Sequence, residues 1–329
     1  MMQIDKTYLK KRFWKIFARS ISYFLFEGRP LTTRGRWINP IVFLNYKILS
    51  TIPISGPKNH PIFIVGTGRS GTTILGKILS MHKQVAFLNE PKALWFFTNK
   101  EDDLIGSYSD RKGRYYFNEN DFSVEAKKKM DRIYRSYLLL TFSNFIVDKY
   151  PEQLFRYHYI KKIYPNAKFI FLVRNGEDVV SSISFWSKKY PKSKNESWWG
   201  LNDKKWILLC EQVIKKDKYF KDLLPILKNL NSNYDRAAIE WIVTMRYGLE
   251  LSKNYTEDFL TIRYENLINN SKQELLNLQK FIGLKNDQRF YDYAKIVLKE
   301  NQKTTNVILN EKILKLFKET MITLNYQNI

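Results

Sequence analysis

After residue 60 the chain carries five short apolar runs, Ile62–Val65, Val85–Leu88, Phe145–Val147, Phe169–Val173 and Phe259–Ile262. Such runs are too short for buried helices and suit strands covered on both faces of a parallel sheet. Between them lie amphipathic stretches of helical period, among them Thr72–Met81 and Asp235–Ser252. Strand, helix and strand in alternation predict an α/β fold, a doubly wound parallel sheet of about five strands flanked by helices, with helical insertions.

The first 58 residues read differently. Tyr8–Phe26 mixes Lys10, Lys11, Arg12, Lys15 and Arg19 with Phe13, Trp14, Phe17, Ile21, Phe24 and Leu25, the pattern of a basic amphipathic helix. Its aromatic stripe is expected to pack on the main domain, with peripheral membrane contact as the alternative. Pro53–Pro61 marks the boundary, giving an N-terminal extension over 1–58 and one domain over 59–329. The most apolar stretch, Trp37–Ile54, is interrupted by Asn39, Pro40, Asn45 and Lys47, so no bilayer span is expected. The N-terminus lacks the layout of a secretory signal, and a cytoplasmic protein is expected.

Lys and Arg outnumber Asp and Glu by 55 to 32, a formal charge of +23 that attracts polyanions without choosing among them. Cys210 is the only cysteine, which excludes an intramolecular disulfide. His60, His82 and His158 have no ligand-like spacing, so no metal site is expected.

Two turns carry candidate chemistry. Gly66-Thr67-Gly68-Arg69-Ser70-Gly71-Thr72-Thr73 follows the first strand and fits the phosphate-loop template except at the lysine, where Thr72 stands. Inward backbone N–H groups and a helix N-terminus would hold an anion there. A nucleotide kinase would need the missing lysine. This makes the expected fold P-loop-like, with Arg69 as the cation within the loop. The second turn follows the fourth run: Arg174 leaves the strand's carboxyl end, with Asp178 and Ser182 along the next helix. Arg174 and Ser182 offer bidentate and hydroxyl donors for a second phosphate.

Together these segments resemble the 5'-phosphosulfate loop and 3'-phosphate motif of sulfotransferases that use 3'-phosphoadenosine-5'-phosphosulfate, and the resemblance covers roughly residues 60–326. It is nearest to the Golgi-type carbohydrate and tyrosylprotein sulfotransferases and their bacterial relatives. It implies that donor as co-substrate, held by Gly68, Arg69, Ser70, Gly71, Thr72, Thr73, Arg174 and Ser182, with no metal. In Asn89-Glu90-Pro91, Glu90 stands where that branch has its catalytic carboxylate, which makes it the candidate base. To be a useful base its pKa would have to be raised by desolvation. Asp148-Lys149-Tyr150-Pro151 and Pro165-Asn166-Ala167-Lys168-Phe169 resemble further family segments, and by that resemblance Lys149 would contact the sulfuryl oxygens or the bridging oxygen. Arg263-Tyr264-Glu265-Asn266-Leu267 resembles a family strand end with Asn for Asp at the fourth position, placing Tyr264 near the donor. Lys303 and Thr304 would complete the 3'-phosphate site.

The resemblance implies a sulfotransferase acting on a hydroxyl, with a saccharide as the favoured acceptor, anionic ones included, and no nucleic-acid partner. Trp186, Trp198, Trp199 and Trp206 are candidate stacking platforms, with core packing as the other reading. A P-loop nucleotide kinase and a non-catalytic polyanion-binding module are the competing readings. His82 or Glu101 would be next in line as base.

Overall fold

The computed structural model describes residues 4, 6–31, 33–55, 60–189, 195–299 and 307–326. Five strands form one parallel sheet in the order β2-β3-β1-β4-β7: β1 (Ile62–Gly66), β2 (Val85–Asn89), β3 (Phe145–Lys149), β4 (Lys168–Val173) and β7 (Phe259–Arg263). Two short strands, β5 (Glu196–Ser197) and β6 (Gly200–Leu201), make a separate antiparallel ribbon. All five apolar runs are strands, within two residues of their expected ends. Successive side chains alternate between two cores: Phe63, Val65, Phe169 and Phe171 enter one, and Ile62, Ile64, Ile170 and Leu172 enter the other. Phe63, Phe169 and Phe259 stack across β1, β4 and β7 at 5.2 and 5.0 Å between centroids.

Helices cover both faces. N-terminal to the sheet come α1 (Lys6–Lys11), α2 (Trp14–Ile21), a π-helical turn (Ser22–Phe26) and α3 (Asn39–Thr51). They are followed by α4 (Thr72–Met81), α5 (Lys92–Thr98), α6 (Val124–Leu140), α7 (Tyr157–Ile163) and α8 (Gly176–Lys189). The remainder are α9 (Lys204–Gln212), α10 (Leu224–Leu227), α11 (Asn233–Asn254), α12 (Tyr264–Asn269), α13 (Ser271–Ile282), α14 (Gln288–Val297) and α15 (Glu311–Thr323). Helix α4 coincides with its predicted span, and α11 extends the predicted one by two residues at each end.

The basic amphipathic segment turns differently from expectation: of its apolar stripe Ile21 and Leu25 pack against the core, whereas Phe13, Trp14, Phe17 and Phe24 do not. On α2 the buried residues are Lys15, Ala18 and Arg19, while Phe13, Trp14 and Phe17 are exposed. The reason is the edge of the sheet. β2 pairs only with β3, which leaves its outer carbonyls without a ladder partner, and an edge of this kind has to be covered. Lys15 donates to the Val85 carbonyl at 2.6 Å, and Arg19 and Ser22 donate to that of Phe87 at 2.6 and 2.9 Å. Glu27 accepts the Asn89 N–H at 2.9 Å and pairs with Arg19 at 2.8 Å. Burial, together with the Arg12 charge, pushes the Lys15 amine down to about 7.

Strand alternation sends Asp148 away from its neighbour Lys149 into the core, where Trp95 Nε1 and Tyr134 Oη donate to Oδ2 at 2.9 and 2.5 Å. Burial outweighs both bonds and pushes this carboxyl up to about 7. A carboxyl raised on folding is a proton sink of the native state, so its contribution is largest at low pH and is lost as pH rises from about 4 to about 7. Asp148→Asn keeps one acceptor oxygen and removes the titration. Its melting temperature relative to wild type is expected to climb across that interval and then level off. A difference that does not vary with pH would show that Asp148 is ionised in the core.

Candidate active site

The carboxyl ends of the five strands deliver the candidate residues to one rim of the sheet. Gly66 ends β1, Glu90 follows β2, Lys149 ends β3, Arg174 follows β4 and Tyr264 follows β7. Asn89 pairs with Lys149, Ile64 with Lys149, Gly66 with Leu172 and Val173 with Arg263, so these ends lie side by side. This is where ligands bind in open α/β sheets.

The loop after β1 is shaped by what lies against it. Gly71 caps α4 at φ 93°, and a Cβ there would sit 2.4 Å from the Tyr264 ring. A Cβ on Gly68 would sit 2.6 Å from the Trp198 ring. No side chain caps α4, and the hydroxyls of Thr67 and Ser70 are buried without a hydrogen-bond partner. Buried polar groups are normally satisfied, so unpartnered hydroxyls beside a helix N-terminus fit an anion. They fit the phosphosulfate end of the expected donor. Arg69, at φ 71°, points out of the loop, and its Nε donates to Ser182 Oγ at 3.0 Å.

The second turn interlocks with the first. Arg174 Nη1 donates to the Arg69 carbonyl at 3.2 Å and Nη2 to Asp178 at 3.1 Å, while the guanidinium lies 4.5 Å over the Tyr264 ring. Its Nε is buried and unpartnered. Trp241 holds the Arg174 carbonyl at 3.1 Å, and Asn175 accepts from the N–H of Glu177 at 2.9 Å, starting α8. Arg69, Arg174, Ser182 and Tyr264 are thus brought together. Lys303 and Thr304 lie outside the described residues.

Glu90 has φ 51°, a conformation uncommon for a non-glycine residue. Its N–H donates to the Lys149 carbonyl at 2.7 Å. Lys149 Nζ, only 1% exposed in its side chain, reaches Glu90 Oε1 at 2.6 Å, and Lys92 reaches Oε2 at 3.3 Å. Burial alone would raise the carboxyl, but the Lys149 and Lys92 ammoniums overcome it and hold Glu90 well below the usual carboxylate range. The expectation of a raised pKa is therefore corrected: with two ammoniums on it, Glu90 is ionised and weakly basic. His82 is no substitute. It is buried, with Nε2 2.7 Å from the Lys285 carbonyl and Nδ1 accepting from Gln84 N–H at 3.2 Å, and burial lowers its pKa. Glu101 is turned to Arg114 at 3.2 Å.

Two contacts were not foreseen, Lys92 on Glu90 and Trp198, itself a candidate platform, against Gly68. Lys92 stands two residues after Glu90, and only the backbone turn at Glu90 and Pro91 brings it back. Trp198 is held over the loop by Glu240, which accepts from Trp198 and Trp199 at 3.1 and 2.8 Å and pairs with Lys205 at 2.6 Å. Lys205 also meets Glu152 at 2.7 Å. Of the four candidate platforms, Trp199 and Trp206 are buried, whereas Trp186 and Trp198 are partly exposed and meet edge to face at 5.3 Å. Among the described residues no group of three or more His, Cys, Asp or Glu is placed to hold a metal ion.

An uncharacterized protein of Aquifex aeolicus is 31% identical over 137 residues, 38% of this chain, and the match spans only 17% of that protein. A sulfotransferase domain from the curacin biosynthetic pathway superposes with a TM-score of 0.49 at 17% identity, over 83% of this chain and 100% of that one. A sulfotransferase from Mycobacterium avium gives 0.49 at 12% identity, over 98% and 92%. A mouse sulfotransferase complexed with PAP gives 0.39 at 12% identity, over 86% and 90%. The family whose model matches is the sulfotransferase family, over residues 61–206, the segment that holds the anion loop, the Glu90–Lys149 pair, Arg174 and Ser182.

Proposed function

We propose that this chain transfers the sulfuryl group of 3'-phosphoadenosine-5'-phosphosulfate to a hydroxyl of a saccharide by direct in-line displacement. The observation that carries this reading is the set of unpartnered buried polar atoms, Thr67 Oγ1, Ser70 Oγ and Arg174 Nε, in two interlocked cationic turns without a phosphate-loop lysine. The loop amides, Thr67 and Ser70 would hold the 5' end of the donor, and Arg174 and Ser182 its 3' phosphate. Tyr264 would position Arg174 and close the loop at Gly71.

Lys149 and Arg69 would stabilise charge on the sulfuryl and leaving oxygens, a task of fixed cations in a sheltered site. When Lys149 turns from Glu90 to those oxygens, the carboxylate loses its strongest partner and its basicity rises, which suits it to take the acceptor proton. Lys92 would keep it oriented. The partly exposed Trp186 and Trp198 offer ring faces to a sugar beside the loop.

Calorimetry with adenosine 3',5'-bisphosphate tests the donor site. Binding without magnesium is expected, and Arg174→Ala should weaken it by about 2 to 4 kcal/mol, the scale for truncating a desolvated charge partner. Unchanged affinity in the variant would remove Arg174 from the site. Binding of ATP with magnesium in place of the bisphosphate would favour a kinase.

A further inference from the structure

Helix α3 is apolar on two sides. Ile38, Val42 and Tyr46 face the core, whereas Trp37, Ile41, Leu44, Ile48 and Ile52 form a second row at helical spacing that is exposed. A helix apolar all round is ordinarily buried on every side. Here packing on α5, α6 and the π-helical turn leaves the second row exposed. Trp37 is 75% exposed. The aromatics at α2 are exposed as well, Trp14 at 81%. Asn45 of α3 donates to the Leu25 carbonyl at 3.0 Å, in the π-helical turn that continues α2. Near the end of α6, Leu139, Leu140 and Phe142 are exposed as well. The α3 row alone sets five large apolar side chains side by side in water, which marks an interaction surface.

Charge selects the partner. Residues 1–55 hold ten basic side chains against two acidic ones; Lys15, Arg19, Arg29 and Glu27 are buried and Arg12 is paired with Asp287 at 2.7 Å, which leaves the exposed charge basic. Lys10, Arg34, Arg36 and Lys47 are exposed around the apolar rows. Two copies meeting through this face would bring like charges together, whereas an anionic lipid surface would complement them. Tryptophans among cations suit the headgroup boundary. Among the described residues no helix is long and apolar enough to cross a membrane, and α3, with 13 residues, spans about 20 Å at a rise of about 1.5 Å per residue.

We infer that this face lies in the plane of an anionic membrane, with the α3 row and the outward α2 aromatics inserted at the headgroup boundary. The buried basic face of α2 holds its aromatics in that orientation, because Lys15 and Arg19 are committed to the edge of β2. The inference is independent of the reaction.

Cosedimentation with phosphatidylcholine vesicles, with and without phosphatidylglycerol, tests it. The full chain should bind the anionic vesicles, bind the neutral ones much less, and be weakened by salt. Ile41→Gln, Leu44→Gln and Ile48→Gln combined should reduce binding by about tenfold or more, with melting temperature retained. If that variant is destabilised, Trp14→Ala with Trp37→Ala, at the two exposed indoles, decides in its place. Absence of vesicle binding, or binding indifferent to the substitutions, would overturn the inference. So would sedimentation showing a dimer that the variants convert to a monomer without any lipid binding, since the face would then join two copies.

Discussion

Lys149→Met is expected to lower sulfuryl transfer by about 10²- to 10³-fold, the scale for removing one fixed donor from a site of developing negative charge. Methionine retains most of the length of a side chain that is 1% exposed and removes its charge. Two consequences separate this from simple damage. Glu90 keeps only Lys92, so its carboxyl should rise, and the acid limb of the pH–rate profile should move to higher pH. A carboxyl depressed on folding stabilises the native state above its ordinary pKa of about 4.3 and loses that contribution as pH falls. The stability difference between wild type and Lys149→Met should therefore be largest near neutrality and shrink below about pH 4. Transfer within a few-fold of wild type would exclude Lys149 from the chemistry.

Glu90→Gln should lower transfer by about a hundredfold or more while leaving binding of adenosine 3',5'-bisphosphate intact, because a base acts only during chemistry. Glutamine preserves size and one acceptor for Lys149, so the turn at φ 51° should persist. Glu90→Asp draws the carboxylate back by one methylene, out of reach of the acceptor, and should also be poor. If product binding falls along with transfer, Glu90 organises Lys149 and Lys92 and does not remove a proton. Near wild-type transfer would require another base, and neither His82 nor Glu101 is free to serve, since His82 is bonded through both ring nitrogens and Glu101 is paired with Arg114.

The sheet was legible because buried parallel strands are near-continuous apolar runs, and the residues that leave their carboxyl ends share a rim in any order of strands. Gly66–Thr73, Glu90, Lys149, Arg174 and Tyr264 could therefore be placed at one end before any contact was known. What stayed hidden depends on which strands are neighbours. The depressed carboxyl of Glu90 follows from β2 lying beside β3, which sets Asn89 against Lys149. The direction in which α2 faces follows from β2 being the edge strand. An amphipathic stripe declares two faces, and only the unpaired carbonyls of Val85 and Phe87 decide that the basic one turns inward. Trp198 over Gly68 is a contact between distant segments, set by the buried Glu240 and Lys205, with no local signal at all.

We propose that the two interlocked turns hold a sulfuryl donor for transfer to a saccharide hydroxyl. Incubation of the full chain with 3'-phosphoadenosine-5'-phosphosulfate labelled in its sulfate, against a panel of saccharides and without added metal, tests it most directly. The predicted result is label bound to a saccharide in proportion to adenosine 3',5'-bisphosphate formed, lowered by about a hundredfold or more in Lys149→Met and Glu90→Gln. Failure of the chain to bind the donor, or binding with no transfer to any saccharide while a phosphoryl group moves from ATP with magnesium, would contradict it.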